Sequence, residues 1–357
     1  MRGWLLCLIV IASLLPAVSL AQTQTVYFYA WGGNPAVNDY LRWAESELRR
    51  QDIELRHVKV ADIAEVVKQL TDGRSNADLL WINGENFHAL KAAGKLYPVA
   101  DKVSNLSQVS NELNWRTDFG EPVDGLEVPW GLGQFYLLSC NECLIGDAVS
   151  AEQLLLYAEQ HPGTISYPKP PEFHGTTFLK ALLLSLSENH EPFQQPVTEV
   201  DADALTRPLW NYLERLHPLL WQQGENFPAS AAEMQNWFAN GVLHIAVSFN
   251  PNDVQTLVNQ GRIPAQTQRV ILGEAAITNH HYLAVPTTAK AKSAATQVIN
   301  FLLSEKAQRR KAQLDGWGDP AVIRLSADDE TERLPVAADF HASWQAYLEQ
   351  AWSERFQ

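Results

Sequence analysis

The hydrophobic and polar positions of the N-terminal third of the chain change period several times. Residues 25–30 and 53–60 alternate in the manner of strands, whereas apolar side chains recur every three or four positions over 35–50 and 63–71, as on helices. ADLLWING then predicts a third strand and GENFHALKAAGK a third helix. These repeated strand–helix pairs predict a mostly parallel sheet with helices packed on it.

A second series of elements follows. Extended segments are predicted for EVPWGLGQFYLLSC, TISYP, VLHIAVSF and RVILGEAAITNHHYLAVP. Helices are predicted for GTTFLKALLLSLSE, for residues 209–220, for AKSAATQVINFLLSEKAQ and for the C-terminus. Two more helices begin at predicted capping boxes, Ser150 with Gln153 and Ser230 with Glu233. No repeat, low-complexity segment or flexible linker separates the two series.

The predicted fold class is therefore α/β with two lobes, each a mostly parallel sheet flanked by helices. Extended segments join the lobes, with residues 128–138 crossing outward and residues 280–285 returning. Lobe 1 is expected to comprise residues 22–130 and 286–357, and lobe 2 residues 131–285. Part of the C-terminal helices could still pack on lobe 2.

Aromatic, glycine and neutral polar residues recur where the predicted strands end. Ligands of parallel α/β sheets lie beyond the carboxyl ends of strands, so these residues predict a small-molecule cleft between the lobes. Tryptophans offer flat faces, glycines allow the backbone to approach a ligand, and Asn and Thr offer uncharged hydrogen-bonding groups. The candidate ligand-binding residues are Trp31, Gly32, Gly33, Asn83, Glu85, Asn86, Trp130, Gly131, Gly175, Thr176, Thr177, Phe249, Asn250 and Trp317.

Several of these positions also have a purely structural explanation. Asn34 and Asn250 each precede a proline and are expected to cap helices, a role compatible with facing the cleft. A core position is the structural alternative for Trp81, and it is the expectation for Trp237, which shares a helix face with Phe238. Glu85 is a possible counter-charge, but a carboxylate in the first turn of a helix is favoured by the helix dipole alone. The recurrence at several strand ends is what favours binding.

The N-terminus predicts a secretory signal. Arg2 precedes an apolar run over residues 5–15, and Ser19 and Ala21 supply the small residues of a cleavage site after Ala21. An uncleaved anchor is the alternative, which the run disfavours because it is shorter than the roughly 18 residues of a membrane span. Cys7 lies too early for a lipid-anchored cysteine. The sequence therefore predicts a periplasmic protein.

The charge balance is acidic. The whole chain carries 27 basic and 41 acidic residues, a net charge of −14, and loss of Arg2 with the signal would make this −15. This balance disfavours nucleic acid and anionic membrane surfaces as partners. It does not identify a ligand.

Cys140 and Cys143 would remain after cleavage, in the sequence SCNEC. In an oxidising compartment they could form a local disulfide or stay as two free thiols, and the sequence leaves both alternatives open. A zinc site would need two more ligands, and no matching pair stands nearby along the chain. No motif predicts a metal site or a cofactor.

Eight blocks of the sequence, in this order, resemble the YnjB-like family of bacterial extracellular solute-binding proteins of ABC importers. They are VYFYAWGG, DLLWINGENFHALKAAG, EVPWGLGQF, HPGTISYPKPPEFHGTTFL, LHPLLW, SFNP, VINFLLSEKAQ and GWGDP. The resemblance implies the type II periplasmic-binding fold, in which a solute is held between two lobes by hinge closure. It also implies a monomer that delivers its solute to an inner-membrane permease and its ATPase.

The resemblance leaves the solute open among ferric iron, oxyanions, polyamines, thiamine and sugars. Iron is disfavoured because no two tyrosines are adjacent in the sequence. The aromatic, mostly uncharged candidates favour a thiamine-like or polyamine-like cation, held by stacking and cation–π contacts. A sugar is the second alternative. An oxyanion at Gly175, Thr176 and Thr177 is the third.

The other class considered is a secreted hydrolase of the glycosidase type. It would concentrate carboxylates at strand ends, where this chain has Trp, Asn and Thr. G-x-S-x-G and H-E-x-x-H motifs are both absent from the sequence. His280 and His281 are adjacent on an extended segment, so their side chains point to opposite faces, and one of them could face the cleft. We therefore expect no catalytic residues and no enzyme.

Overall fold

The computed structural model describes residues 23–32, 35–60, 63–325 and 333–357. The elements of the N-terminal part are β1 (Gln24–Trp31), α1 (Pro35–Leu48), β2 (Ile53–Val60), α2 (Ile63–Thr71), β3 (Leu79–Ile82), α3 (Gly84–Ala92) and β4 (Leu96–Tyr97). The next elements are β5 (Thr117–Asp118), β6 (Glu121–Pro122), β7 (Glu127–Gln134), β8 (Tyr136–Ser139), β9 (Ala148–Val149), α4 (Ala151–Gln160), α5 (Phe173–Ser185), α6 (Ala202–Leu216) and α7 (Ala231–Ala239). The remaining elements are β10 (Ile245–Ser248), α8 (Asp253–Asn259), β11 (Gln268–Leu272), β12 (Ala276–Pro286), α9 (Lys292–Leu302), α10 (Glu305–Ala312), β13 (Val336–Ala338) and α11 (Ser343–Phe356).

The first lobe is built on a seven-stranded sheet within the described residues, with the order β13-β12-β3-β1-β2 and with β4 and β7 also paired to β12. β1 runs parallel to β2 and to β3, as the strand–helix pattern predicts. Alternate residues of these strands enter cores on opposite faces of the sheet. Phe28 packs in the core that includes Leu41 and Ile299, and Leu80 packs in the core that includes Val66.

The second lobe is built on a four-stranded sheet within the described residues, in the order β10-β8-β11-β9. β8 pairs antiparallel with both β10 and β11, and β11 pairs parallel with β9. The two-lobed α/β class is confirmed, but the prediction of a mostly parallel second sheet is wrong. β8 follows β7 after a single residue and lies between β10 and β11, which both run in the opposite direction.

Two long strands pass between the lobes. β7 and β12 pair antiparallel from Gln134 with Thr278 to Glu127 with Ala284, and the register shifts between His281 and Tyr282. β12 contributes to the second-lobe core at one end and to a first-lobe core at the other. These strands follow the two predicted crossing segments, whereas the residue boundaries of the lobes stay a prediction.

The C-terminal helix packs on the second lobe. Trp344, Leu348 and Trp352 of α11 lie fully buried in the same core as residues of α5 and α6. The Nε1 of Trp352 donates a hydrogen bond to the hydroxyl of Tyr167, at 2.8 Å. The buried face of α11 therefore holds this helix on the second lobe.

Two predicted elements differ from the structure. TISYP is not a strand; Thr164 and Ile165 accept backbone hydrogen bonds from His244 and Trp221 in irregular loops, and the nearby prolines offer no N–H for a ladder. The predicted helix AKSAATQVINFLLSEKAQ is two helices, α9 and α10. Ser304 lies between them and caps α10 by accepting from the N–H of Ala307.

The predicted caps have mixed outcomes. Ser150 and Gln153 form the reciprocal capping box at the start of α4. At α7, Ser230 accepts from the N–H of Glu233, but the Glu233 carboxylate accepts from Ala229 instead of Ser230. Asn34 lies outside the described residues.

Candidate functional site: an aromatic cavity between the lobes

A cavity of about 850 Å³ lies between the two lobes. The first lobe supplies Trp31, Trp81 and Trp317, here called the tryptophan wall. The second lobe supplies Phe173 and His174 from α5 and Gln345 and Glu349 from α11, here called the helix wall. The cavity is also lined by Val37, Ile63, Asn83, Asn86, Phe119, Pro171 and His281. This volume suits a small organic solute.

The tryptophan wall is a connected set of rings. The Trp81 ring centroid lies 5.2 Å from that of Trp31 and 5.5 Å from that of Trp317. His281 lies 5.0 Å from Trp81, at the inner end of the wall. The rings hold one another at steep angles, so their positions are fixed before any solute binds.

Trp130 lies behind this wall and does not line the cavity. Its side chain is fully buried, edge-on to Trp81 at 5.1 Å and 5.3 Å from Trp317. Trp81 is buried in the first-lobe core, in agreement with its structural explanation, and it also lines the cavity. The alternation of a strand fixes which residues share a face, but it does not say which face meets the cleft.

The helix wall is rich in hydrogen-bond acceptors. The Oε1 of Glu349 accepts from the hydroxyl of Thr176, at 3.0 Å, and from the Nε2 of Gln345. The Oε1 of Gln345 is buried without a partner among the described residues. Two bonds to one oxygen fix the Glu349 carboxylate in place, and its second oxygen remains available to a solute.

The start of α5 is not an anion site. The Glu172 carboxylate caps the helix, accepting from the N–H of Gly175 at 2.9 Å and lying 3.0 Å from the Nδ1 of His174. A negative side chain thus occupies the position that an oxyanion would take. Thr176 and Thr177 are fully buried, and Thr177 donates to the carbonyl of Phe173. These positions therefore support the cavity without lining it.

A smaller cavity of about 190 Å³ adjoins the inner end of the first. Phe249 and Asn250 line it, together with Trp317, His281 and Asp319, among others. Burial opposes a charge on Asp319, but its ion pair with Lys311 and the nearby His281 outweigh burial and hold the pKa of Asp319 below its ordinary value. Its negative charge is therefore already compensated within the protein.

The predicted site residues divide into three groups. Trp31, Asn83, Asn86 and Trp317 line the large cavity, and Phe249 and Asn250 line the small one. The following residues line neither: Gly32, Trp130, Gly131, Gly175, Thr176 and Thr177. Gly33 and the side chain of Glu85 lie outside the described residues.

Two of the glycines have a packing role instead of a ligand-facing one. A Cβ at Gly131 would collide with the carboxylate of Asp319 and the ring of His281. A Cβ at Gly175 would collide with the carbonyl of Pro168. Close approach inside the protein explains both residues.

Cys140 and Cys143 form a disulfide, with 5.2 Å between their Cα atoms. Both residues pack against the second-lobe core and line neither cavity. Of the two alternatives that the sequence leaves open, the structure has the disulfide.

Comparisons with known proteins agree with this architecture. The model of a family described as bacterial extracellular solute-binding protein matches residues 49–339. Protein YnjB of Escherichia coli (strain K12) is 38% identical over an alignment of 381 positions, which covers 99% of this chain and 98% of that protein.

Solved structures show the same fold. An ABC transporter from Clostridium perfringens ATCC 13124 has a TM-score of 0.68 at 16% identity, covering 93% of this chain and 100% of that one. The spermidine/putrescine ABC transporter substrate-binding protein PotD from Streptococcus pneumoniae strain Canada MDR_19A has a TM-score of 0.67 at 15% identity, covering 94% and 100%. Identities this low establish the type II periplasmic-binding fold alone.

Throughout the described part of the chain, no helix has both the length and the apolar character needed to cross a bilayer. Proteins of the matched family bind small solutes for ABC transporters outside the cytoplasm and are not enzymes. The predicted family, fold class and non-enzymatic role are thus confirmed along nearly the whole chain. The chain belongs to the bacterial extracellular solute-binding protein family.

Proposed function

We propose that this protein captures a small organic cation with a flat aromatic part, a thiamine-like solute, in the cavity between its lobes. It acts in the periplasm as a monomer, after cleavage of the N-terminal signal behind Ala21. It then delivers the solute to an inner-membrane permease driven by an ATPase. Lobe 1 and lobe 2 have the boundaries predicted from the sequence, except that α11 belongs with lobe 2, and they close on the solute about the crossing strands.

The observation that carries this proposal is the chemistry of the cavity lining. Glu349 is the only acid, and there is no lysine or arginine, among the described residues that line the large cavity. The indoles of Trp31, Trp81 and Trp317 line the same cavity as this carboxylate. A cation over an indole gains about 0.5–2 kcal/mol, and a carboxylate adds a charge-assisted hydrogen bond. An anionic solute would gain neither the cation–π contact nor the charge-assisted hydrogen bond.

A polyamine is the second candidate, because its ammonium groups could also stack on indoles. It carries a charge at each end, however, and the cavity offers one uncompensated carboxylate among its described lining residues, since Asp319 is paired with Lys311. A flat monocation fits that lining better. A sugar would stack on the tryptophans but would leave Glu349 without an opposite charge.

Closure follows from contacts to both walls. A solute that touches the tryptophan wall and the helix wall together binds the closed form better than the open form, and so shifts the population toward closure. We propose that Trp31, Trp317, Asn83 and Asn86 contact it from the first lobe. Phe249 and Asn250 then close the inner end, and Glu85 stays a further predicted contact.

A thermal-unfolding screen tests the proposal. The mature protein, freed of carried-over solute by partial unfolding and dialysis, is mixed with thiamine and its phosphates, polyamines, sugars and oxyanions. A solute at about 100 times its dissociation constant should add roughly 2.7 kcal/mol of stability. A saturable rise in melting temperature with thiamine-like cations alone supports the proposal.

Two variants make the screen specific. Trp317→Ala removes part of the tryptophan wall, whereas Trp237→Ala removes a partly buried tryptophan that packs on Trp221 in the second lobe. The solute-induced shift should fall in the first variant and persist in the second. A shift with sugars or oxyanions only would overturn the cationic assignment.

A further inference from the structure

A cluster of soft donor atoms lies on the second lobe, away from both cavities. Cys140, Cys143 and His244 each offer one ligand atom, and these three atoms lie within 4.8 Å of one another. His244 stands more than 100 residues beyond the cysteines in the sequence, so no local spacing announces it. The fold thus supplies a third donor that the sequence pattern lacks.

Backbone hydrogen bonds set this cluster. Cys140 follows the last residue of β8 and His244 precedes the first residue of β10, and these strands are antiparallel neighbours. The N–H of Cys140 donates to the carbonyl of His244, at 3.1 Å. The N–H of Cys143 donates to the carbonyl of Cys140, also at 3.1 Å, which turns Cys143 back toward the same point.

The His244 ring is held by a partner of its own. Its Nδ1 lies 2.6 Å from the hydroxyl of Tyr157, on α4. In most metal-binding histidines, the ring nitrogen that does not bind the metal is hydrogen-bonded to an oxygen atom, which fixes the orientation of the ring. His161 packs on Tyr157 at 4.5 Å, with its ring centroid 6.0 Å from that of His244.

We propose that, in the reduced form of the protein, Cys140, Cys143 and His244 bind a thiophilic metal ion of the Zn²⁺ type. Two thiolates and one imidazole are favoured zinc ligands, and a fourth, open position would take water. The oxidised form has the disulfide and cannot bind. The site is independent of solute capture, because none of its residues lines either cavity.

The redox step balances with an external dithiol as the reductant, or with a phosphine, which takes the oxygen of one water molecule to become a phosphine oxide while the two protons of that water go to the sulfurs. A dithiol gives two electrons and two protons to the disulfide, breaks the sulfur–sulfur bond to form two thiols, and becomes a disulfide itself. Binding of the metal then displaces the two thiol protons into solvent. Metal affinity should therefore depend on the redox state of Cys140 and Cys143.

Titration with Co²⁺ tests the site, because thiolate–Co²⁺ charge transfer absorbs in the near ultraviolet. The mature protein is reduced with a phosphine, which is then removed under anaerobic conditions. One equivalent of Co²⁺ should give the band, Zn²⁺ should displace it, and the oxidised protein should show none. No band in the reduced protein would overturn the proposal.

His244→Ala separates a three-donor site from a bare dithiol. The Co²⁺ affinity of this variant should fall by more than about ten-fold, because loss of a residue that only hydrogen-bonds a metal ligand already costs about 10–100-fold. His244→Gln is the alternative if the alanine variant fails to fold. His88→Ala, which changes a histidine bonded to Glu121 in the first lobe, is the matched control and should bind normally. Equal affinity in His244→Ala and in the unchanged protein would overturn the proposal.

Discussion

The tryptophan wall consists of indole rings from two strands and a loop, whereas the helix wall consists of side chains on two helices that meet at Thr176 and Glu349. The first wall is apolar, and its rings support one another. The second is polar, and its key carboxylate is held by hydrogen bonds from side chains on both helices. The difference suggests separate tasks, in which the first wall sets the affinity for a flat group and the second selects the sign of its charge.

The largest effect should come from removing the support of the tryptophan wall. Trp130→Ala should lower the free energy of unfolding by about 3–5 kcal/mol, because it empties a fully buried site. Chemical denaturation measures this change, and Trp237→Ala, which truncates a partly buried ring, should cost less. Unchanged stability with lost solute binding would instead make Trp130 a contact residue, as its position in the sequence suggests.

The next effect should come from the charge of the helix wall. Glu349→Gln keeps the shape but removes the carboxylate, so it should weaken binding of a cationic solute by about 1.5–3 kcal/mol, roughly 10- to 150-fold. Calorimetry on the solute found in the screen measures this loss. Glu354→Gln, on the same helix and exposed, is the control. A loss of affinity for neutral solutes of the same size would argue against charge selection.

A smaller effect should come from one ring of the tryptophan wall. Trp31→Ala should weaken binding by about 0.5–2 kcal/mol with little change in stability, because Trp31 is only partly buried. Trp31→Phe keeps a ring and should recover part of the loss. If both variants bind as the unchanged protein does, the solute stacks only on Trp81 or Trp317.

The smallest effect concerns the strand that carries Trp130. Glu127, at the start of β7, is fully buried, and neither carboxylate oxygen has a partner among the described residues. Burial, and then the nearby Asp118, raise the pKa of Glu127. A raised acid pKa contributes stability that is complete below the ordinary carboxyl pKa and is lost as the pH rises through the raised value.

Glu127→Gln should therefore stabilise the protein by about 1 kcal/mol at neutral pH. The gain should shrink as the pH falls from neutral toward the ordinary pKa of a carboxyl group, and it should be absent below that pKa, because Glu127 is then neutral in both states. Melting temperatures of Glu127→Gln and of the unchanged protein, compared at pH values from neutral down to below the ordinary carboxyl pKa, measure this decrease. Glu112→Gln, an exposed carboxylate of the same lobe, should show no such gain. Destabilisation at neutral pH would mean that the charged form has an unseen partner.

Much of this architecture follows from local patterns. The strand–helix alternation predicts the first sheet, and the Ser150 capping box predicts the start of α4. Trp31 and Asn83 could be predicted as cavity-lining residues because the strand ends of α/β folds meet at one edge. Trp317, in a loop after α10, is predicted from its Gly-Trp-Gly-Asp-Pro context. The strand directions in the second sheet could not be predicted from the sequence. They depend on the pairing of β8 with β10 and β11, which lie far away along the chain.

The helix wall could not be predicted for a different reason. Gln345 and Glu349 lie four residues apart on α11, a spacing that marks one face of a helix but says nothing about what that face meets. They reach the cavity because Trp344 and Trp352 anchor α11 in the second-lobe core. Such placement depends on tertiary packing between segments far apart in the sequence. His244 beside Cys140 and Cys143 is a further case.

The hydrogen bond between Thr176 and Glu349 joins residues 173 positions apart in the chain. Contacts of such long range form late, because the intervening loop must close before they are gained. A growing chain therefore has no complete helix wall until α11 (Ser343–Phe356), the last element of the described chain, is available to pack on α5. Until then the large cavity has no acidic residue in its described lining, so on the function proposed above an incomplete chain cannot distinguish a cation from a neutral solute.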